Sequence, residues 1–142
     1  PFALGNAGQL KQVFMNIIVN AAEAMHGNGT LTIFSSFDQE RKNITIEFTD
    51  TGEGIPEENL SRIFDPFFTT KEIGKGTGLG LSTSYGIIEA HGSKIEVKSK
   101  VGVGSTFAIL LAPYPETQPI IENNSGELGV NMRELNKLKE GS

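Results

Sequence analysis

Two short segments carry residue types that can bind a nucleotide. Residues 50–56 read DTGEGIP, which places a carboxylate at the end of an apolar strand with two glycines just after it. A carboxylate can accept a hydrogen bond from a base amine, and glycines let a ligand approach the backbone. Residues 76–82 read GTGLGLS, a glycine-rich loop that runs into an amphipathic helix. Because helix N-termini favour phosphates, the two segments together predict a nucleotide site.

The strand before Asp50 predicts where its carboxylate points. Ile44, Ile46 and Phe48 alternate with polar residues, which is typical of a strand with one buried face. Asp50 continues the apolar parity, so we expect its carboxylate to point inward, where it needs hydrogen bonds. Asp-Thr-Gly is also ordinary turn chemistry, and for Asp50 alone that interpretation stays open.

The glycine-rich loop fits neither the dinucleotide-binding fingerprint nor the P-loop pattern. A flexible linker is the alternative interpretation. However, apolar residues at helical spacing follow at once and continue to about His91: Leu79, Leu81, Tyr85, Ile87 and Ile88. Free backbone N–H groups and a positive helix end would then meet in one place, which suits a triphosphate.

The N-terminal region predicts a core helix with a separate polar face. Its apolar residues fall at helical spacing: Leu10, Val13, Phe14, Ile17, Ile18, Ala21 and Met25. Asn16, Asn20 and Glu23 share another face at spacings of four and three. Asparagine is a mediocre helix former, and its carbonyl oxygen can complete the oxygen shell of Mg²⁺. A solvated polar face is the alternative.

The remaining elements predict an α/β fold in two layers. Strands are expected near 31–37 and 43–49, a short helix after Pro56, and a final hairpin from 94–98 and 106–111. A mixed, mostly antiparallel sheet covered by helices on one face accommodates this order. We expect one domain over 1–113. Prolines and polar residues predict a linker or C-terminal tail over 114–142.

These elements, in this order, resemble the catalytic and ATP-binding domain of sensor histidine kinases, within the GHKL ATPase superfamily. The matching boxes are N at 12–24, G1 at 50–56, F at 63–71 and G2 at 76–82. The likeness continues to about Pro113. Residues NAAEAM and TTK within these boxes are similar to the nitrogen-regulation and sporulation kinase subgroup. The resemblance implies a Bergerat-type fold with ATP and Mg²⁺ as cofactors.

The resemblance also implies roles for single residues. Asp50 would bind the adenine amine, Asn20 would hold Mg²⁺, and Asn16 would contact the phosphate–metal region. Phe64, with Phe67 and Phe68, would anchor a lid that runs from Asp65 to Gly78, although a purely core role is the alternative. The other implied nucleotide-binding residues are Gly52, Gly54, Ile55, Lys71, Gly76, Thr77, Gly78, Leu79, Gly80 and Leu81.

Within the superfamily, the residue at position 16 distinguishes ATPases that hydrolyse ATP from kinases that transfer its phosphoryl group. ATPases such as DNA gyrase and MutL carry a glutamate at this place, one turn before the metal-binding asparagine, as general base for water. An amide is not basic, so transfer of the γ-phosphoryl group to a histidine of a separate dimerisation domain is favoured over hydrolysis. A response regulator would act downstream. The alternatives are a GHKL ATPase or protein-serine kinase, and a nucleotide-binding regulatory module without transfer activity.

Two positions depart from the pattern that many histidine kinases share. Where many have a lysine three residues after the metal-binding asparagine, this chain has Glu23, and Thr69 stands where many have arginine. Lys71 then becomes the candidate that supplies positive charge to the terminal phosphate as a catalytic residue. A solvated lysine is the alternative.

Composition is consistent with this interpretation. The 142 residues carry a net charge of −5, which argues against nucleic acid as a partner, and no cysteine. The sequence contains no membrane span or signal peptide, so we expect no direct membrane contact and a cytoplasmic location, with a parent protein that a membrane could still anchor. His26 and His91 each precede a glycine near a helix end, where we expect capping rather than phosphorylation.

Overall fold

The computed structural model describes residues 2–71, 78–113, 121–122 and 128–129. Its elements follow the predicted order. The helices are α1 (Ala7–Ala24), α2 (Glu57–Leu60) and α3 (Gly80–Ala90). The strands are β1 (Leu31–Asp38), β2 (Asn43–Asp50), β3 (Lys94–Lys100), β4 (Gly104–Leu111), β5 (Ile121–Glu122) and β6 (Leu128–Gly129).

Four strands form one sheet in the order β1-β2-β4-β3, and every pairing in it is antiparallel. The sequence predicts a mixed, mostly antiparallel sheet, and the described part of the sheet contains no parallel pair. The register places Asp50, the last residue of β2, opposite Leu31 of β1 and Ser105 of β4. Because β2 and β4 are the central strands, Asp50 lies in the middle of the end of the sheet at which β2 finishes.

Helix α1 is favoured by its N-terminal cap and by the helical spacing of its apolar residues. Asn6 caps the N-terminus, since its side-chain oxygen accepts the Gln9 N–H at 2.9 Å. Val13, Ile17 and Ala21 recur every four residues and are buried. This face packs on the sheet and on α3, which lies beside α1 on the same side of the sheet.

Both long helices cover the same face of the sheet. The core is formed by α1, α3 and the inward residues of the strands, whose buried members include Phe48, Ile95, Phe107 and Ile109. The opposite face carries mostly polar and small residues: Thr45, Glu47, Glu96, Lys98, Thr106, Ala108 and Leu110. The predicted two-layer α/β sandwich is therefore confirmed.

The main sheet ends at Leu111, and Pro113 makes an isolated antiparallel bridge with Ala3. Beyond it, the structure describes only the two-residue strands β5 and β6, which pair antiparallel with each other. Sequence patterns did not predict this pair. No helix in the described ranges has both the length and the apolar character that a membrane crossing requires.

Candidate nucleotide-binding site

Asp50 is 4% exposed, as its strand parity predicted. Its Oδ1 accepts the Gly52 N–H at 2.8 Å and the Ser105 N–H at 3.3 Å. The bond to Gly52 is an Asx-type turn, so the turn interpretation describes part of the same geometry. Among the described residues, Oδ2 has no donor, yet no fully buried polar side-chain atom lacks a partner. Among these residues, Oδ2 is the Asp50 oxygen left to accept from a ligand.

Two serines behind Asp50 were missed by the sequence reasoning. The Ser99 hydroxyl donates to the Gly104 carbonyl at 3.0 Å and accepts the Ile55 N–H at 2.7 Å. Since this uses its only proton, Ser105 donates to Ser99 across their 2.9 Å contact. Ser105 shares the inward parity of Phe107, which is the signal that could have identified it. The network ties the segment after Asp50 to β3 and β4.

Two glycines near Asp50 are required by close backbone contacts. Gly54 has φ +76°, and a Cβ there would lie 2.2 Å from the Lys100 carbonyl oxygen. Gly104 has φ +138°, and a Cβ there would lie 2.0 Å from the Asp50 carbonyl oxygen. The loop after β2 is thus held against the turn between β3 and β4. Neither Gly54 nor Gly104 has room for a side chain.

Replacing Gly104 with alanine should destabilise the domain by about 3 kcal/mol, because both backbone strain and a clash with Asp50 must be relieved. Urea unfolding measures the loss. Gly102→Ala is the matched control: Gly102 also has a positive φ, +77°, but a Cβ there meets nothing within 4 Å. The control should lose only about 1 kcal/mol. Equal losses in the two variants would contradict the role of the contact.

The C-terminal end of α1 docks on the loop after Asp50. The Glu53 N–H donates to the Ala24 carbonyl at 3.0 Å, and a Cβ at Gly52 would lie 2.7 Å from the same carbonyl oxygen. His26 follows the helix with φ +50° and contacts Glu53 Oε2 through Nε2 at 3.1 Å. These contacts place the polar face of α1 near the end of β2 that carries Asp50.

Asn16 connects α1 to the start of α3. Its Nδ2 donates to the Gly80 carbonyl at 3.0 Å and to Ser84 Oγ at 3.1 Å. Ser84, which is fully buried, donates to the same Gly80 carbonyl at 2.9 Å. The sequence reasoning missed Ser84, although a serine on the buried side of an apolar helix was a possible signal. The Asn16 amide nitrogen is thus used in packing, whereas its carbonyl oxygen has no hydrogen-bond donor among the described residues.

Asn20 is half-buried in the same helix face, one turn after Asn16. Its side chain makes no hydrogen bond to any residue that the structure describes. A half-buried amide oxygen without a partner fits one ligand of a hard cation such as Mg²⁺. In the described ranges, no group of three acidic, histidine or cysteine side chains could hold a metal alone. A cation on Asn20 would therefore take its other ligands from phosphates and water.

The aromatic residues of segment 63–71 do not behave alike. Phe64 is half-buried and stacks on Tyr85 with ring centroids 5.2 Å apart, and the Arg62 guanidinium lies 4.8 Å from the Phe68 ring centroid. Phe67 is 73% exposed and has φ +66°. Phe64 and Phe68 therefore anchor this segment, whereas the expected anchoring by Phe67 is wrong because its ring points to solvent.

The remaining predicted site residues fall into two groups. Gly76 and Thr77, with the rest of 72–77 in the predicted lid, lie outside the described residues. Gly78, at φ +66°, packs against the Phe67 backbone, and its carbonyl accepts the Phe67 N–H at 2.9 Å. Leu79 precedes α3, and Gly80 and Leu81 begin it, with Leu81 packed against the core. Lys71 Nζ contacts Glu23 Oε2 on α1.

His91 closes the other end of α3, as expected for a residue at a helix terminus. Its Nδ1 donates to the Ile87 carbonyl at 2.7 Å, which leaves Nε2 to accept the Asn6 N–H at 3.0 Å. Both ring nitrogens are therefore engaged, and the ring joins the end of α3 to the start of α1.

Comparisons with known proteins agree with this geometry. A family model described as "Histidine kinase-, DNA gyrase B-, and HSP90-like ATPase" matches residues 5–115. Sensor kinase CckA of Brucella abortus is 46% identical over 117 residues, which cover 73% of this chain and 12% of that protein. Sporulation kinase A of Bacillus subtilis is 49% identical over 105 residues, which cover 74% of this chain and 17% of that protein. The chain thus spans less than a fifth of either relative.

Among solved structures, the catalytic domain of histidine kinase ThkA superposes with a TM-score of 0.67 at 37% identity. The match covers 78% of this chain and 71% of that one. Full-length ShkA, solved in complex with AMPPNP, superposes with a TM-score of 0.68 at 26% identity, over 79% of this chain and 23% of that one.

Proposed function

Since the chain belongs to the family of histidine kinase-, DNA gyrase B- and HSP90-like ATPases, we propose that it binds Mg-ATP and donates the γ-phosphoryl group to a histidine. The acceptor histidine lies on a separate dimerisation domain, and a response regulator acts downstream. The domain comprises residues 1–113, and residues 114–142 form a linker or tail. The chain works in the cytoplasm without direct membrane contact or nucleic acid.

The observation that supports this proposal most is the bonding of Asp50. A buried carboxylate with one oxygen held by two backbone N–H groups has a fixed direction for its other oxygen. An exocyclic amine of adenine supplies the donor that Oδ2 lacks among the described residues. Gly52, Gly54 and Ile55 follow Asp50 and would border the adenine; the Gly52 N–H donates to Asp50 and the Ile55 N–H donates to Ser99.

The triphosphate end of the site is formed by α1 and the start of α3. Asn20 would hold Mg²⁺, which when bound would supply positive charge to the phosphates. Asn16 has its nitrogen committed to Gly80 and Ser84, so its oxygen would be the group that accepts from a water on that metal. The glycine-rich segment 76–81 would supply N–H groups to the phosphates, and Phe64 packs on Tyr85 of the helix that follows this segment.

The reacting nucleophile comes from the acceptor. A histidine ring nitrogen attacks the γ-phosphorus, the bond from that phosphorus to the ADP oxygen breaks, and ADP leaves. The chain positions the phosphates and supplies charge, which is most of what phosphoryl transfer requires. Because Asn16 is not a base, water at the same place is not activated, and hydrolysis stays slow.

Incubating the chain with γ-labelled Mg-ATP and the dimerisation domain of its own kinase tests the proposal. We expect acid-labile label on the acceptor domain, little release of free phosphate, and no label on His26 or His91, whose rings are engaged in the contacts described above. Nucleotide binding without any transfer would instead indicate a regulatory module. Rapid phosphate release without an acceptor would indicate an ATPase, and either result would overturn the proposal.

A further inference from the structure

Glu23 and Lys71 form an ion pair that joins two distant parts of the chain. The Lys71 ammonium contacts Glu23 Oε2, and the two residues lie 48 positions apart in the sequence. The Lys71 side chain is 37% exposed and the Glu23 side chain is 45% exposed. Among the described residues, neither side chain has another charged partner. Glu23 has had no assigned role so far, apart from being a departure from a common pattern.

The backbone that carries Lys71 is itself held in place. The Lys71 N–H donates to Thr69 Oγ1 at 3.1 Å, and the Phe68 N–H donates to the Asp65 carbonyl at 3.2 Å. Phe68 also lies against Arg62. These contacts hold the segment that leads to Lys71, and the Lys71 ammonium lies against Glu23.

Glu23 brings the ammonium to the metal end of the site. It lies three residues after Asn20, and residues at this spacing are neighbours on a helix surface, with Cβ atoms about 5–6 Å apart. An ammonium has three donors and no acceptor, so it can bond to one oxygen of Glu23 and still donate to a phosphate oxygen. The pair is thus built to hold a positive charge beside the atoms that Asn20 would bind.

We propose that Glu23 is a positioning residue: its side-chain oxygen holds the Lys71 ammonium beside the Asn20 metal site, so that Lys71 donates to the terminal phosphate of the bound triphosphate. This inference rests on the proposed function and names the part of it that recognises the third phosphate. Partly exposed ion pairs contribute little to folding, so the purpose of this pair is placement of the ammonium rather than stability of the domain.

Glu23→Leu and Glu23→Gln separate placement from charge. Gln keeps an oxygen that accepts from Lys71 and removes the negative charge, whereas Leu removes both at similar size. The readout is the ratio of the dissociation constants of Mg-ADP and a non-hydrolysable Mg-ATP analogue, measured by calorimetry on the full chain. Glu23→Leu should lower this preference for the triphosphate about tenfold, the size of one charge-assisted hydrogen bond. Glu23→Gln should stay within about twofold of wild type.

Lys71→Met should lose the preference by the same factor as Glu23→Leu, and the double variant should lose no more than either single one. Binding of Mg-ADP should be unchanged in all of them. Lys11→Met, an exposed lysine near the other end of α1, and Glu58→Gln, an exposed glutamate of α2, are the matched controls and should behave as wild type. A general loss of folding would lower both affinities together and would leave the ratio unchanged.

Three results would overturn the inference: equal ratios in Glu23→Leu and Glu23→Gln, a Lys71→Met loss that Glu23→Leu does not share, or losses that multiply in the double variant. These results are distinguishable from failure of the proposed function. If wild-type protein bound neither nucleotide, or transferred no phosphate to its acceptor, the function itself would be wrong. A wild type that binds and transfers, with insensitive Glu23 variants, would reject only the role of Glu23.

Discussion

Replacing Asn20 with alanine is expected to lower phosphoryl transfer about 100-fold or more and to weaken the dependence of ATP binding on Mg²⁺. Asn20 offers a half-buried amide oxygen without a partner among the described residues, and alanine leaves the cation one ligand short. Folding should be nearly unaffected, because the side chain makes no hydrogen bond that the structure records. Label transfer to a supplied acceptor domain and calorimetry at several Mg²⁺ concentrations measure the two effects.

Two companion variants sharpen this experiment. Asn20→Asp keeps an oxygen ligand and should retain most metal-dependent binding. Asn59→Ala removes an equally half-buried asparagine from α2, away from the α1 face, and should transfer phosphate like wild type. Normal transfer by Asn20→Ala in the presence of Mg²⁺ would show that Asn20 is only a polar residue on a helix face.

Replacing Asp50 with asparagine is expected to weaken ATP binding about 10- to 100-fold. The oxygen of asparagine can still accept from Gly52 and Ser105, which places the amide NH₂ where Oδ2 stood. A donor would then face the amine donor of adenine, so the favourable bond is replaced by repulsion. Isothermal calorimetry with Mg-ATP measures the loss, and circular dichroism verifies that the variant is folded.

Asp38→Asn is a suitable control for this change. Asp38 lies at the other end of the β1–β2 hairpin, where its Oδ1 also accepts two backbone N–H groups, from Glu40 at 2.9 Å and Arg41 at 3.0 Å. The substitution removes the same charge from a similar turn and should leave ATP affinity unchanged. Equal affinity of wild type and folded Asp50→Asn for ATP would remove Asp50 from the adenine site.

Local patterns predicted most of the elements because each depends on neighbours in the chain. The alternation through Ile44, Ile46 and Phe48 predicted both strand β2 and the inward direction of Asp50, since side chains alternate along a strand. Helical spacing predicted α1 and the common face of Asn16, Asn20 and Glu23 in the same way. The glycines after Asp50 indicated room for a ligand, whereas in the structure Gly52 and Gly54 make room for the backbone of Ala24 and Lys100.

The chain's own sequence thus determined the elements, their order, the parity of Asp50 and the polar face of α1. Only the tertiary structure decided which groups meet: Ser105 with Asp50, Ser84 with Asn16, and Lys71 with Glu23, at separations of 55, 68 and 48 residues. It also decided that Phe67 points outward while its neighbour Phe68 packs. Periodicity reports which face a residue occupies, but the partner on that face is set by strand register and helix packing, which no local pattern contains.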